Sequence, residues 1–128
     1  YEIPLRLVGS EMCIRDRTLD ADGRVTSAIG DMAEPALTIA ADGGVTAPDT
    51  VRSKLELGDS YGMRNASSLG KEWYEHSEGY CSYLKGKTEK EVADIPADGS
   101  DADLAALCTI SIDALQKAAG DAFENASL

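Results

Sequence analysis

Residues 70–87 read G-K-E-W-Y-E-H-S-E-G-Y-C-S-Y-L-K-G-K. Together with the residue just before them, they place Leu69, Trp73, His76, Tyr80 and Leu84 at steps of four, three, four and four. That spacing puts all five on one face of an α-helix. Glu72, Glu75, Glu78 and Lys85 point largely away from it. Ser67 or Ser68 offers an N-cap hydroxyl and Gly86 a C-terminal stop, so the pattern predicts a helix over 68–85. Gly79 inside it costs about 1 kcal/mol relative to Ala. Either the apolar face is well buried or a neighbour needs the room. His76 is the only histidine. Its place on the stripe between Trp73 and Tyr80 is that of a satisfied core or boundary residue, not a catalytic base.

On the N-terminal side, Gly58-Asp59-Ser60-Tyr61-Gly62 reads as a loop. Its two glycines permit positive φ or a close approach of backbone to another group. Residues 51–57 fit strand and helix equally well. The segment 47–50, A-P-D-T, is a break, because Pro48 disfavours helix at the residue before it. Residues 18–41 read as β structure, with D-A-D-G at 20–23 as a hairpin turn, and a D-G-G turn follows at 42–44. Asp20, Asp22 and Asp42 lack the closing bidentate Glu and the spacing of a calcium loop. They are read as turn residues, and no metal ligands are assigned.

On the C-terminal side, T-E-K-E at 88–91 is a capping box. An acidic loop covers 97–103, in which Ser100 or Asp101 can cap a brief turn through Leu107. The last helix is placed from Ser111 to about residue 125, with Ile112, Leu115, Ala119 and Phe123 as its buried stripe. The expected fold class is α+β: a small antiparallel β-meander covered by two helices, 68–85 and 111–125.

Residues 7–16, L-V-G-S-E-M-C-I-R-D, back-translate codon for codon into a transposase-type sequencing adapter (CTC GTG GGC TCG GAG ATG TGT ATA AGA GAC). Residues 1–17 are therefore read as adapter-derived and set outside fold reasoning. The native domain is then 18–128, with its N-terminus and first strand cut away. Arg6, Arg15 and Arg17 cancel Glu2, Glu11 and Asp16, so the whole net charge of −11 belongs to residues 18–128. Such acidity argues against nucleic acid, whose binding rests on Lys and Arg neutralising phosphates. Cys81 and Cys108 have neither zinc nor redox-motif spacing and read as small buried apolar residues.

Taken in order, several of these stretches resemble the FMN-binding domain family. D-G-R-V at 22–25 matches the family's opening strand, and E-L-G-D at 56–59 stands where its Gly-containing loop belongs. Y-L-K-G-K at 83–87 matches the end of its helix, and C-T-I-S-I-D-A-L-Q-K-A at 108–118 its final stretch and helix. K-L-E-L-G-D-S-Y-G-M at 54–63, followed by G-K-E-W-Y-E at 70–75, is similar to exported, often lipid-anchored members of anaerobic Firmicutes.

The resemblance implies FMN as cofactor, with Gly58 and Gly62 shaping a loop over the flavin ring and Tyr61 stacking on it. Thr109 and Ser111 then lie at the phosphate, before a helix N-terminus suited to anions. Covalent members esterify a Thr in a D-x-x-S/T-G-A-T motif. Asp103 and Thr109 match its ends, but Ala106, Leu107 and Cys108 replace its middle. Non-covalent binding is therefore the expectation. The resemblance further implies an extracytoplasmic, cell-surface or membrane-anchored electron carrier with a membrane-bound redox partner. The alternative is a cell-surface binding or structural module with a degenerate flavin site. No nucleophile–base pair is visible, so no catalytic residue is assigned and a carrier or binding domain is preferred to a stand-alone catalyst.

Overall fold

A computed structural model describes residues 2–6, 11–34, 36–46 and 50–124. The break at 47–49, the adapter-like residues 7–10 and the end of the last helix at residue 125 lie outside them. The strands are β1 Glu2–Arg6, β2 Glu11–Leu19, β3 Val25–Ala33, β4 Ala36–Ala40 and β5 Val45–Thr46. The helices are α1 Lys54–Leu57, α2 Trp73–Tyr83, α3 Glu89–Ala93, α4 Ala102–Ala105 and α5 Asp113–Glu124, with a 3-10 turn at Gly58–Tyr61. The fold class is α+β.

Turn chemistry builds the hairpins. Asp20 Oδ1 accepts the N–H groups of Asp22 and Arg24, each at 2.9 Å, and Gly23 takes φ 77°. Asp42 Oδ1 accepts Gly44 N at 2.8 Å in the same way. These carboxylates thus hold their own turns. The hairpins lie in two antiparallel ladders, β2-β3 and β1-β4-β5. The expected single meander is therefore split where the chain passes from β3 to β4. Residues 11–17, set aside in the sequence reading, pair with β3, from Glu11 opposite Ala33 to Arg17 opposite Ala28.

α2 packs on β3, α5 on β2, and α3 on α5. Between them Val25, Tyr80, Leu84, Val92, Leu104 and Leu115 form the buried core with Cys81 and Cys108, whose thiols are free. Gln116 of α5 donates to the carbonyls of Val92, Ala93 and Ile95 at 3.1, 3.2 and 2.8 Å. It thereby ties α5 to the C-terminal end of α3, where carbonyls run short of helical N–H partners. The Thr88 capping box forms as read, and Asp101 caps α4 through Asp103 N and Leu104 N.

The start of α2 differs from the expectation. Gly70 takes φ 65° and turns the chain, so the helix begins at Trp73 with Glu72 as its N-cap. Leu69 falls outside the helix and is exposed, while Trp73, His76, Tyr80 and Leu84 are buried as the stripe predicts. Gly79 also follows the reading: a Cβ there would sit 2.5 Å from the Leu107 carbonyl oxygen. α5 begins at Asp113, two residues later than read, with Ile112, Leu115 and Ala119 buried and Phe123 packed at the core's edge.

Candidate functional site

The segment between α4 and α5 carries Thr109 and Ser111, and its backbone is fixed from α2. Thr109 N donates to His76 Nδ1 at 3.2 Å. That bond leaves the ring proton on Nε2, which donates to Ser67 Oγ at 2.9 Å. The ring is 0% exposed. Burial first, and then the nearby charge of Lys71, hold the imidazole below the usual histidine range. His76 is thus a neutral clamp, as the sequence reading expected of a satisfied core residue.

Held this way, Thr109 and Ser111 line a cleft of about 320 Å3 between the 96–101 loop, α4 and the entry to α5. Leu104, Cys108 and Ile112 give it an apolar floor, and Asp98 and Asp101 lie on its rim. Hydrogen bonds from Ser100 keep the Asp98 carboxyl below its ordinary value. The Tyr83 hydroxyl, which donates to Asp101, does the same for Asp101. The same contact pushes Tyr83 up to about 12. Both carboxylates are therefore charged at neutral pH. Burial raises the Cys108 thiol, so it faces the cleft protonated and weakly polar.

Gly58, Tyr61 and Gly62 lie elsewhere. They form the loop before α2 and do not line the cleft. Gly58 (φ 51°) and Gly62 (φ 79°) both take the positive φ that the loop reading allowed. The Tyr61 ring is partly exposed, with Lys54 Nζ 4.9 Å from its centroid. The same ammonium lies 5.2 Å from the Trp73 ring centroid and pairs with Glu34 Oε1 at 2.9 Å. It is 6% exposed, so two rings and one carboxylate stand in for its water. Glu72, 3% exposed, accepts Met63 N and Arg64 N at 3.0 Å each and ties the loop down. The two patches are joined, since Ser67 N donates to the Met63 carbonyl and the Ser67 hydroxyl meets His76.

Lys54, Lys71 and Glu72 were missed in the sequence. The capping box S-K-L-E at 53–56 was legible and marks α1, where Glu56 N donates to Ser53 Oγ at 3.2 Å and Ser53 N to Glu56 Oε2 at 2.8 Å. Glu72 is marked locally by its capping box with Glu75, whose Oε2 accepts Glu72 N at 2.7 Å, whereas nothing local marks Lys71, whose partner Leu107 is 36 positions away.

Comparison with known proteins adds a short likeness. Over 42 residues the chain is 50% identical to a protein of Desulfitobacterium hafniense named chlorophenol reductase. That stretch is 33% of this chain and 13% of the relative, so the chain spans only a small part of the relative's length. No family model matches the chain. No solved structure matches it either.

Proposed function

We propose that this domain is an extracytoplasmic flavin-binding module that holds FMN non-covalently for electron transfer with a membrane-bound partner. The observation that carries the reading is the fixed Thr109 backbone, which sets the Thr109 and Ser111 hydroxyls on the rim of an apolar-floored cleft. Leu104, Cys108 and Ile112 suit the face of a planar ring, and the rim offers hydroxyls and carboxylates to the ribityl hydroxyls. The Gly58–Gly62 loop acts on this end through Ser67 and His76. When bound, FMN supplies the redox chemistry, and the protein binds it, orients it and limits water. The name of the relative, a reductase, is in keeping with a redox role.

The test is a titration of the folded chain with FMN, followed by quenching of flavin fluorescence. Saturable binding at micromolar concentrations is expected. Thr109→Glu, which sets a negative charge against the ligand's phosphate, should weaken it at least tenfold. Gly58→Val, acting only through the loop, should weaken it less. An absence of binding by a protein that melts cooperatively would remove the redox reading. What remained would be a cell-surface binding module.

A further inference from the structure

The bond from Thr109 N to His76 Nδ1 is one that only a neutral ring can accept. Nε2 already carries its proton for Ser67. A second proton can go only to Nδ1, where it points an N–H at the N–H of Thr109: two donors and no acceptor. The ring is fully buried, so water cannot stand in while the contact is closed. Charging the ring and keeping the bond are incompatible.

One side has to yield, and it is the Thr109 side. The imidazole sits in α2 on the stripe between Trp73 and Tyr80, both buried. Thr109 lies in the irregular segment between α4 and α5, where the Leu104 carbonyl holds Leu107 N and Cys108 N at 2.9 and 2.8 Å but reaches no further. Release therefore starts beside the Cys108 thiol, in the floor of the cleft. Two charges bear on the ring: Lys71, which opposes a proton, and Glu75, which favours one but is paired with Arg64 Nη1 at 2.9 Å. Elsewhere on α2, Glu72 is spent on Met63 N and Arg64 N, and Glu78 is exposed. On the elements packed against α2, Lys54 pairs with Glu34, Asp59 with Arg64, Glu56 with Ser53 N, Asp31 with Leu55 N and Asp101 with the Tyr83 hydroxyl, while Asp103 is exposed. A charged ring is best accommodated with the contact open to water.

We propose that the His76–Thr109 contact is an acid-released latch: closed, it holds the wall of the cleft that Thr109 and Ser111 line, and proton uptake at Nδ1 frees that segment and opens the cleft. The inference goes beyond the flavin reading and does not rest on it. Two buried cysteines separate local opening from global unfolding, since Cys108 lies in the cleft floor and Cys81 does not line the cleft. The full chain is pulse-labelled at steps from about pH 7.5 to about pH 5 with dithiodipyridine, an aromatic disulfide that reacts with thiols in acid, and each cysteine is read by peptide mass. Rates are divided by those of the urea-unfolded chain at the same pH. Each opening takes up one proton, so the corrected Cys108 rate should rise by up to about tenfold per pH unit below the ordinary histidine value of 6.5, with Cys81 still protected. His76→Asn sets an amide oxygen, which does not titrate, near the place of Nδ1, and should hold the Cys108 rate flat. Cys81 and Cys108 labelled in step at every pH would mean global unfolding and no latch. A corrected Cys108 rate that ignores pH, or one that climbs equally in a folded His76→Asn chain, also overturns the proposal. Should His76→Asn fail to fold, the parent chain decides alone through its two cysteines.

Discussion

At the scale of single residues, His76 shows how burial and two hydrogen bonds decide a role. Its Nδ1 must stay unprotonated to accept Thr109 N, and its Nε2 must carry the proton given to Ser67. In the unfolded chain the imidazole takes up a proton near its ordinary value of 6.5, while in the fold it resists until lower pH. Below that value the unfolded state binds more protons, so stability falls as pH falls; above it this group contributes no slope. The depressed carboxyls of Glu91, Asp98 and Asp101 act only at more acidic pH. Melting temperature should therefore be flat through neutral pH in this respect and decline as pH falls below about 6.5. His76→Gln should cost about 1–3 kcal/mol at neutral pH by breaking the clamp and should flatten that decline. Equal slopes in the two proteins would show that the imidazole is not kept neutral by the fold. The burial of His76 was legible from its place on the stripe; its partners were not, since Thr109 is 33 positions away.

At the scale of elements, α2 marks the limit of what local pattern can say. Its buried face was legible because a 3.6-residue period survives any tertiary context. Its first turn was not, because Ser67 serves His76 and the cap falls to Glu72, which pairs with Glu75 in a capping box while its buried carboxylate holds Met63 N and Arg64 N. Gly79 was legible as an anomaly, and Leu107 supplies the reason. In an ordinary helix, Gly→Ala is stabilising by about 0.5–1 kcal/mol. At position 79 the added Cβ would lie 2.5 Å from the Leu107 oxygen and 3.0 Å from its carbonyl carbon, both backbone atoms that move only with the segment before α5. Gly79→Ala should therefore destabilise by about 1–3 kcal/mol. Gly120→Ala, in α5 with nothing within 4 Å of the new Cβ, should stabilise by the ordinary amount. Calorimetric melts of the pair decide the matter: a Gly79→Ala protein that gains stability like Gly120→Ala would mean that α2 and the Leu107 backbone do not meet closely.

At the scale of the whole molecule, local signals identified the hairpins, because each turn is written in adjacent Asp and Gly residues. How the hairpins associate was not legible, because strand pairing uses backbone groups that every residue carries. The same fact bears on residues 11–17. Their sequence reads as foreign to the domain, yet they fill the edge of β3 from Ala28 to Ala33, and the strand they belong to carries α5. A ladder needs an extended backbone of the right length more than it needs particular side chains, so a strand of unrelated origin can complete a sheet. Removing residues 1–17 should leave β3 with an open edge and α5 without most of its strand partner. The expected result is a lower melting temperature with a less cooperative transition, and dimers or larger species on size-exclusion chromatography as exposed edges pair. Replacing residues 11–17 with a different strand-forming sequence of equal length should restore a cooperative melt and a monomer, since the ladder itself is built from main-chain groups. A truncated chain that melts like the parent would show that β2 adds nothing to the fold. A replacement that fails to rescue would show that the side chains of residues 11–17, not their backbone, hold the edge.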